Sequence, residues 1–326
     1  MQAIEVRNLR KIYRTRKRKG FLRSEPEVVE ALKGISFSVR YGEVVGLLGP
    51  NGAGKTTTIK IVSTLLLPDG GEVYVDGFNV VDEATEVRKR IGILLTVERG
   101  FYGKLTGLEN LQYFGALYGF TGRDLEARLE YLFKLLELDK LGGVDRLFEE
   151  FSLGMKARLG LARALLKDPP ILLLDEPTLG LDPPSAIKIR SLVKDLARSG
   201  KAILYTTHNM FEAEIVCDRI LLIDKGVIVA EGSPSDLKDR IPKLKSLKIT
   251  VRGKDPLSIL SDRNLDYSVN RIDLDLFELE IRTRDPSEVL NSILPVFTEE
   301  GYRIISFKIE EPTLEDVFLY FSRGVR

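Results

Sequence analysis

The segment that most constrains the fold is 151–182, which reads FSLGMKARLGLARALLKDPPILLLDEPTLGLD. Its second half holds a continuous apolar run at 171–174, followed by two adjacent carboxylates, Asp175 and Glu176. Such a short run is typical of a buried strand in a parallel sheet. Because open α/β sheets bind ligands at the carboxyl ends of their strands, the two acids are predicted to lie at a ligand site.

The first half of the same segment is a Ser-Leu-Gly turn that opens a predicted helix. The first turn of a helix presents unpaired backbone N–H groups and the positive end of the helix dipole, so it favours an anion. The segment therefore combines a turn suited to phosphate with an acid pair suited to a metal ion.

A second motif, GPNGAGKTT at 49–57, matches G-x-x-x-x-G-K-[ST] and lies between a predicted strand, EVVGLL, and a predicted helix. That is the context in which the motif forms a phosphate-binding loop. Its glycines let backbone N–H groups approach phosphate oxygens, and its lysine would neutralise the β- and γ-phosphates. Thr56 would offer its hydroxyl to Mg²⁺, and Thr57 is expected near the α-phosphate. The candidate nucleotide ligands in this loop are Gly49, Pro50, Asn51, Gly52, Ala53, Gly54, Lys55, Thr56 and Thr57.

By itself the loop indicates only a P-loop nucleotidase. A GTPase would carry an N-K-x-D guanine reader, which the sequence lacks. A small-molecule kinase would need an acceptor site and an arginine-rich lid, and the predicted helical region shows no obvious one. Residues 107–167 are instead predicted to be almost entirely helical, with candidate helices at about 107–119, 124–138 and 153–167, and they lie between sheet strands.

Taken together, these motifs resemble the ATP-binding cassette (ABC) ATPases over residues 1 to about 240. FSLGM at 151–155 is similar to the family's LSGGQ signature, with Ser152 and Gly154 at the two positions expected to touch the γ-phosphate. The resemblance implies an α/β fold: a P-loop ABC ATPase cassette with a mixed sheet core, an antiparallel β subdomain and an inserted α-helical subdomain at about 100–167. The implied cofactors are ATP and Mg²⁺.

The resemblance also implies roles for the acids and the histidine. Asp175, with Thr56, would hold Mg²⁺, and Glu176 would orient the attacking water. His208 is the only histidine in the chain and follows the apolar strand AILYTT, where the family has a switch histidine that contacts the γ-phosphate. The alternatives are an ion-paired or helix-capping Glu176 and a structural His208.

Two further positions match the family. Asp182 ends the sequence Gly-Leu-Asp, which resembles the D-loop that crosses to a partner subunit. Tyr13 corresponds to the aromatic residue that stacks on adenine, although an aromatic residue before a loop is common without such a role. One motif departs from the family: no glutamine follows the strand IGILL, and Thr96 or Glu98 is the candidate replacement for this metal and coupling ligand.

The sequence predicts two domains. A nucleotide-binding domain spans 1–240, and a smaller α+β domain of accessory or regulatory type, with a ferredoxin-like arrangement as one option, spans 241–326. In the second, 246–252, 276–282 and 303–309 alternate like strands, and 286–299 has a helical period.

The composition and charge of the chain limit where it is expected to be located and what it is expected to bind. The net charge is +1, so no overall electrostatic attraction to nucleic acid is expected. No apolar run is long enough to span a bilayer, the N-terminus has no signal-peptide core, and Cys217 is predicted to be a buried thiol. The basic run at 14–20 is predicted to be a solvated loop, with contact to lipid headgroups or a membrane partner as the alternative.

The tail EEPTLEDVFLYFSRG at 310–324 resembles ATPase subunits of drug, sodium-ion or polysaccharide exporters, whose permease is a separate chain. The resemblance implies a homodimer of ATPase subunits, peripheral on the cytoplasmic face of the membrane, that hydrolyses ATP and drives the permease through ATP-dependent dimerisation. The alternative is a non-transport ABC ATPase acting on nucleic acid or ribosomes, and a third reading has the C-terminal domain sense a ligand and restrain the ATPase.

Overall fold

The computed structural model describes residues 2–19, 23–95, 100–241, 245–260 and 265–322. The chain divides into two compact units, Met1–Pro234 and Ser235–Arg326. Across the described ranges, no helix has both the length and the apolar content needed to cross a membrane.

The strands, in chain order, are β1 (Gln2–Lys19), β2 (Arg23–Arg40), β3 (Val44–Leu48), β4 (Gly70–Val75), β5 (Phe78–Asn79), β6 (Ile91–Leu94), β7 (Ile171–Asp175), β8 (Ala202–Thr207), β9 (Arg219–Asp224), β10 (Val227–Gly232), β11 (Lys245–Arg252), β12 (Asp266–Arg271), β13 (Leu276–Thr283) and β14 (Arg303–Glu310). The helices are α1 (Lys55–Val62), α2 (Ala84–Arg90), α3 (Gly107–Leu117), α4 (Gly122–Leu135), α5 (Leu153–Leu165), α6 (Pro183–Arg198), α7 (Met210–Val216), α8 (Pro234–Asp239), α9 (Leu257–Leu260), α10 (Pro286–Glu299) and α11 (Leu314–Ser322).

The first unit is built on a six-stranded sheet in the order β10-β9-β3-β8-β7-β6. The neighbours from β9 to β6 pair in parallel, and β10 pairs antiparallel with β9 at the edge. Every residue of β3, β7 and β8 is buried, which explains why these strands are mainly apolar in the sequence. The predicted strand at 171–174 and the mixed α/β sheet are confirmed.

A second, antiparallel sheet has the order β2-β1-β4-β5. Its first two strands are far longer than predicted, and 14–19 belongs to β1, so the loop prediction for this basic run is wrong. These residues pair with β2, where Lys17 lies opposite Glu25 in the register, so their backbone groups have hydrogen-bonding partners in the neighbouring strand.

The helical region between β6 and β7 contains α3, α4 and α5. A capping box formed by Thr106 and Glu109 starts α3, with the threonine side chain accepting from the N3 backbone and the glutamate from the N-cap backbone. The segment between α4 and α5 is turns with one short 3₁₀ helix, Phe148–Glu150, and it falls between the predicted helices 124–138 and 153–167.

The second unit has an antiparallel sheet in the order β12-β13-β11-β14. Alternate residues of β11, namely Leu247, Ile249 and Val251, are buried in its core with Ile293 and Phe297 of α10. Strand β12 and helix α11 were not predicted. Strand β12 is an edge strand with no buried residue, so its sequence carries little apolar alternation.

Candidate active site

The loop 49–57 joins buried strand β3 to helix α1, which begins at Lys55. Two features of this loop require glycine. Gly54 has a φ of 116°, a left-handed conformation that other residues rarely adopt. A Cβ on Gly49 would lie 2.1 Å from the carbonyl oxygen of Ile223 on β9. The loop therefore packs directly against the sheet and leaves backbone N–H groups at the N-terminus of α1 for an anion.

Lys55 places its ammonium group inside this loop. The side chain is 5% exposed, and Nζ donates to the carbonyl oxygens of Gly49 at 2.7 Å and Pro50 at 3.1 Å. The same Nζ lies 3.5 Å from Oε1 of Glu176. A positive charge is thus held between the phosphate loop and the acid pair.

Asp175 ends β7 and is buried. Its carboxylate accepts hydrogen bonds from the hydroxyls of Thr206 and Thr56. Burial raises the pKa of Asp175, and these two hydrogen bonds oppose the rise. A desolvated carboxylate beside the Thr56 hydroxyl is a hard-oxygen pair that suits Mg²⁺, and a cation there would offset the cost of burying the charge.

The described residues contain no cluster of three or more histidine, cysteine or acidic side chains that could hold a metal ion.

Glu176 lies in the turn that follows β7 and has a φ of 49°, an unusual value for a residue with a side chain. Its backbone N–H donates to both the carbonyl oxygen and Oγ1 of Thr206, each at 3.1 Å. Its carboxylate hydrogen-bonds through Oε2 to Nδ1 of His208 at 2.8 Å. The strained turn therefore directs the second acid towards Lys55 and the histidine.

Thr206 is a site residue that the sequence analysis did not find. It is fully buried on β8 opposite Asp175 of β7, bonds that carboxylate, and anchors the Glu176 backbone. The available signal was a hydroxyl residue within the otherwise mainly apolar strand AILYTT. Only the register between β7 and β8 gives that hydroxyl its partners.

Tyr13 lies on β1 beside the end of the phosphate loop. Its hydroxyl oxygen is 3.4 Å from Oγ1 of Thr57, and the Lys11 ammonium lies 5.9 Å from its ring centroid. The half-exposed ring is therefore close enough to the loop to contact a base attached to bound phosphates.

Ser152, Gly154 and Asp182 form a second cluster. Ser152 caps α5 by accepting from the N–H of Met155, and Asp182 caps α6 by accepting from the N–H of Ser185. A Cβ on Gly154 would lie 2.7 Å from Oγ of Ser185 and 3.8 Å from Oδ1 of Asp182. Among the described residues, these neighbours lie on α5 and α6, and none belongs to the phosphate loop.

The candidate replacements for the missing glutamine, Thr96 and Glu98, lie outside the described residues. The preceding strand β6 ends at Leu94, as the sequence predicts within one residue.

The arrangement can therefore bind a polyphosphate, hold a divalent cation and present a carboxylate to a water molecule. The anion-binding loop, Lys55 and the acid pair converge at the carboxyl ends of β3 and β7. Those three functions are the ones that hydrolysis of a nucleoside triphosphate requires.

Comparisons with known proteins agree with this chemistry. The family described as "ABC transporter" matches residues 32–179, and the family described as "ATP-binding protein DrrA1-3-like, C-terminal domain" matches residues 232–320. The linearmycin resistance ATP-binding protein LnrL of Bacillus subtilis is 37% identical over 88% of this chain and 92% of that protein. The Nod factor export ATP-binding protein I of Rhizobium etli is 36% identical over 98% of this chain and 93% of that protein.

The fold has matching solved structures. A dimeric ATP-binding cassette in a post-hydrolysis state, bound to ADP and Pi, superposes with a TM-score of 0.61 and 30% sequence identity. The match covers 71% of this chain and 98% of that chain.

Proposed function

The chain belongs to the ATP-binding subunits of ABC transporters and is an ATPase, and from this membership we propose that it binds ATP and Mg²⁺ between two copies of itself. The resulting dimer drives a separate membrane permease that exports its substrate. The observation that carries the dimer is that the contacts described for Ser152 and Gly154 within one chain are to Met155, Ser185 and Asp182, and not to the phosphate loop.

For nucleotide binding, the phosphate loop and Lys55 hold the β- and γ-phosphates, Thr57 lies near the α-phosphate, and Tyr13 stacks on adenine. Thr56 and Asp175 hold Mg²⁺, which neutralises charge on the phosphate oxygens. The buried Lys55 ammonium and the hydroxyl contact between Tyr13 and Thr57 support these roles.

For hydrolysis, Glu176 orients the attacking water by accepting its hydrogen bond. The bond between Glu176 and Nδ1 of His208 holds the carboxylate in place. It also leaves Nε2 of His208 available for the γ-phosphate. The position of Lys55, 3.5 Å from the same carboxylate, supports a water held between the acid and the phosphate.

For assembly, Ser152 and Gly154 of one copy face the γ-phosphate that the other copy binds, and Asp182 crosses to the partner. Each copy contributes to two sites, so two ATP molecules close the dimer. The relative whose structure is described as dimeric supports this arrangement.

Glu176→Gln tests the proposal. Glutamine keeps the size of the side chain but removes the charge that orients water, so hydrolysis should fall about 10²–10⁴-fold. ATP binding should persist, and the variant should elute as an ATP-dependent dimer from a sizing column. Wild-type turnover in this variant, or a specific activity that is independent of protein concentration in a monomeric chain, would contradict the proposal.

We propose that the permease contacts this chain near a cavity of about 310 Å³ beside β6 and α3. Its lining includes Ile91, Ile93, Phe114, Tyr118 and Lys167, a mixed aromatic and cationic surface. It lies beside the strand after which the family has its coupling glutamine. Purification from native membranes, with identification of the attached chain, tests both the partner and the location on the cytoplasmic face.

The exporter assignment follows the relatives, which are named for drug resistance and Nod factor export.

A further inference from the structure

A buried carboxylate, Glu212, lies in the first turn of α7 next to the candidate active site. The residue is 4% exposed. Its Oε1 accepts hydrogen bonds from the hydroxyls of Tyr205, at 2.7 Å, and Thr178, and its Oε2 accepts from the hydroxyl of Thr207 at 2.8 Å. Three hydroxyls from two separate chain segments therefore converge on one side chain.

In the part of the chain that the structure describes, hydrogen bonds from hydroxyls stabilise the charge of Glu212. Within the described ranges, no lysine, arginine or histidine forms an ion pair with it, and its side-chain hydrogen bonds are to hydroxyls. A buried charge is costly unless it is well hydrogen-bonded. A carboxylate has no hydrogen to donate, so it orients all three hydroxyls as donors towards itself.

These hydroxyls belong to the two segments that carry the proposed hydrolytic residues. Thr207 directly precedes His208, and Thr178 follows Glu176 by two residues in the turn after β7. The Glu212 backbone is fixed in turn, since its N–H donates to Oδ1 of Asn209 at 3.1 Å. Glu212 thus joins the turn that holds Glu176 to the strand end that holds His208.

The turn after β7 borders a cavity of about 210 Å³, lined in part by Thr178, Gly180, Arg190 and His208. Backbone hydrogen bonds within the turn run from Leu179 to Glu176 and from Leu181 to Thr178, so they keep its local shape. The Glu176 backbone bonds hold the start of the turn to β8. Two residues later, the hydrogen bond from Thr178 to Glu212 holds the turn to α7.

We propose that Glu212 is a positioning residue that keeps Glu176 and His208 at hydrogen-bonding distance by clamping Thr178 and Thr207 to α7. The proposal rests on the proposed function, in which Glu176 orients the attacking water. It does not give Glu212 any contact with ATP.

The test is Glu212→Gln in the full-length chain, with Glu214→Gln as the control. Glu214 is an exposed glutamate on the same helix, so its variant makes the same chemical change away from the hydroxyls. Glutamine replaces one acceptor oxygen with an NH₂ donor, so at least one hydroxyl loses its acceptor. We expect kcat to fall about 10–100-fold through misplacement of the reacting groups. KM and the affinity for a fluorescent ATP analogue should not change, and Glu214→Gln should match wild type.

A double-mutant cycle separates positioning from a general loss of structure. In single-turnover assays on a Glu176→Gln background, Glu212→Gln should have a smaller effect than it has on wild type, because one of the two groups that it positions, the Glu176 carboxylate, is already absent. Independent effects that multiply, a parallel loss of ATP affinity, or wild-type turnover in Glu212→Gln would each overturn the proposal.

Thr178→Val keeps the test valid if Glu212→Gln does not fold, since it removes one hydroxyl from a half-buried position and leaves the carboxylate in place. It should also lower kcat without changing ATP affinity, and unchanged kcat would overturn the proposal. Failure of the proposed function is distinguishable, because it would appear as wild-type hydrolysis in Glu176→Gln alone.

Discussion

At the scale of single residues, the candidate site brings together acidic and basic side chains, of which Asp175 and Lys55 are buried. Asp175 lies with Thr56 and Thr206, Lys55 lies under the phosphate loop, and Glu176 lies between Lys55 and His208. The pKa of Asp175 is raised by burial even though two hydroxyls donate to it. The folded chain therefore holds a carboxylate whose ionisation costs stability, and a bound cation would recover that cost.

Asp175→Asn should consequently make the nucleotide-free chain more stable and less active. Between the ordinary and the raised pKa, the folded chain binds a proton at Asp175 that the unfolded chain has released, so stability falls as pH rises through this window. Because asparagine does not titrate, the variant does not lose stability in this way. It should melt at a higher temperature than wild type near pH 7.5, with a smaller difference near pH 4.

Thermal melting without metal or nucleotide measures this effect, and an ATPase assay should show a loss of activity in the same variant. Asp195→Asn, at an exposed position on α6, is the control and should leave both quantities unchanged. A lower melting temperature for Asp175→Asn near pH 7.5 would contradict the argument.

At the scale of elements, the site depends on three buried parallel strands that end together. Strands β3, β7 and β8 deliver the phosphate loop, the acid pair and His208 to one edge of the sheet. The register pairs Asp175 with Thr206, which fixes both the first acid and the backbone of the second. The loop after β3 fits this edge only because Gly49 has no Cβ to meet β9.

Gly49→Ala should therefore distort the phosphate loop. The added Cβ would meet the Ile223 carbonyl oxygen at 2.1 Å, so either the loop or β9 must move. Overpacking of this kind costs about 1–3 kcal/mol, and ATP-analogue affinity should fall with it. Gly77→Ala is the matched control, because its φ is 82° but no atom lies within 4 Å of the added Cβ.

Gly77→Ala should lower the free energy of unfolding by about 1 kcal/mol, because alanine is strained at a positive φ. It should retain the wild-type affinity for the ATP analogue. Denaturant unfolding and fluorescence titration measure the two quantities. Equal affinities for the two variants would show that the close approach of Gly49 to β9 does not matter for binding.

At the scale of the whole molecule, each unit has its own hydrophobic core. One core cluster runs from Ala3 to Ile223, and another runs from Leu247 to Tyr302. The second unit contains β11-α9-β12-β13-α10-β14 in chain order, followed by α11, and we propose that it is a ferredoxin-like accessory domain. We further propose that residues 1–240 form the complete nucleotide-binding domain.

A chain truncated after residue 240 should therefore fold and bind ATP. Its melting temperature should lie within about 3 °C of the matching transition in the full chain, because the core of the first unit is retained. Circular dichroism and ATP-analogue titration test this. An unfolded truncated chain would contradict the domain assignment, and a change in its ATPase rate would measure whether the accessory domain restrains or supports turnover.

The sequence by itself determined the parts of this protein whose signal is local. The phosphate loop, the strand before the acid pair and the α/β class all follow from short motifs and apolar runs, because spacing along the chain dictates them. The ABC family also followed from these motifs, and the relatives confirm it.

Only the tertiary structure decided which distant side chains meet. Thr206 and Glu212 carry no motif, and their roles appear when β7, β8 and α7 bring together residues that are far apart in sequence. The long pairing of β1 with β2 was missed for the same reason, since a polar strand shows no apolar alternation. Local pattern fixes the elements, whereas register and packing choose the partners of each polar group.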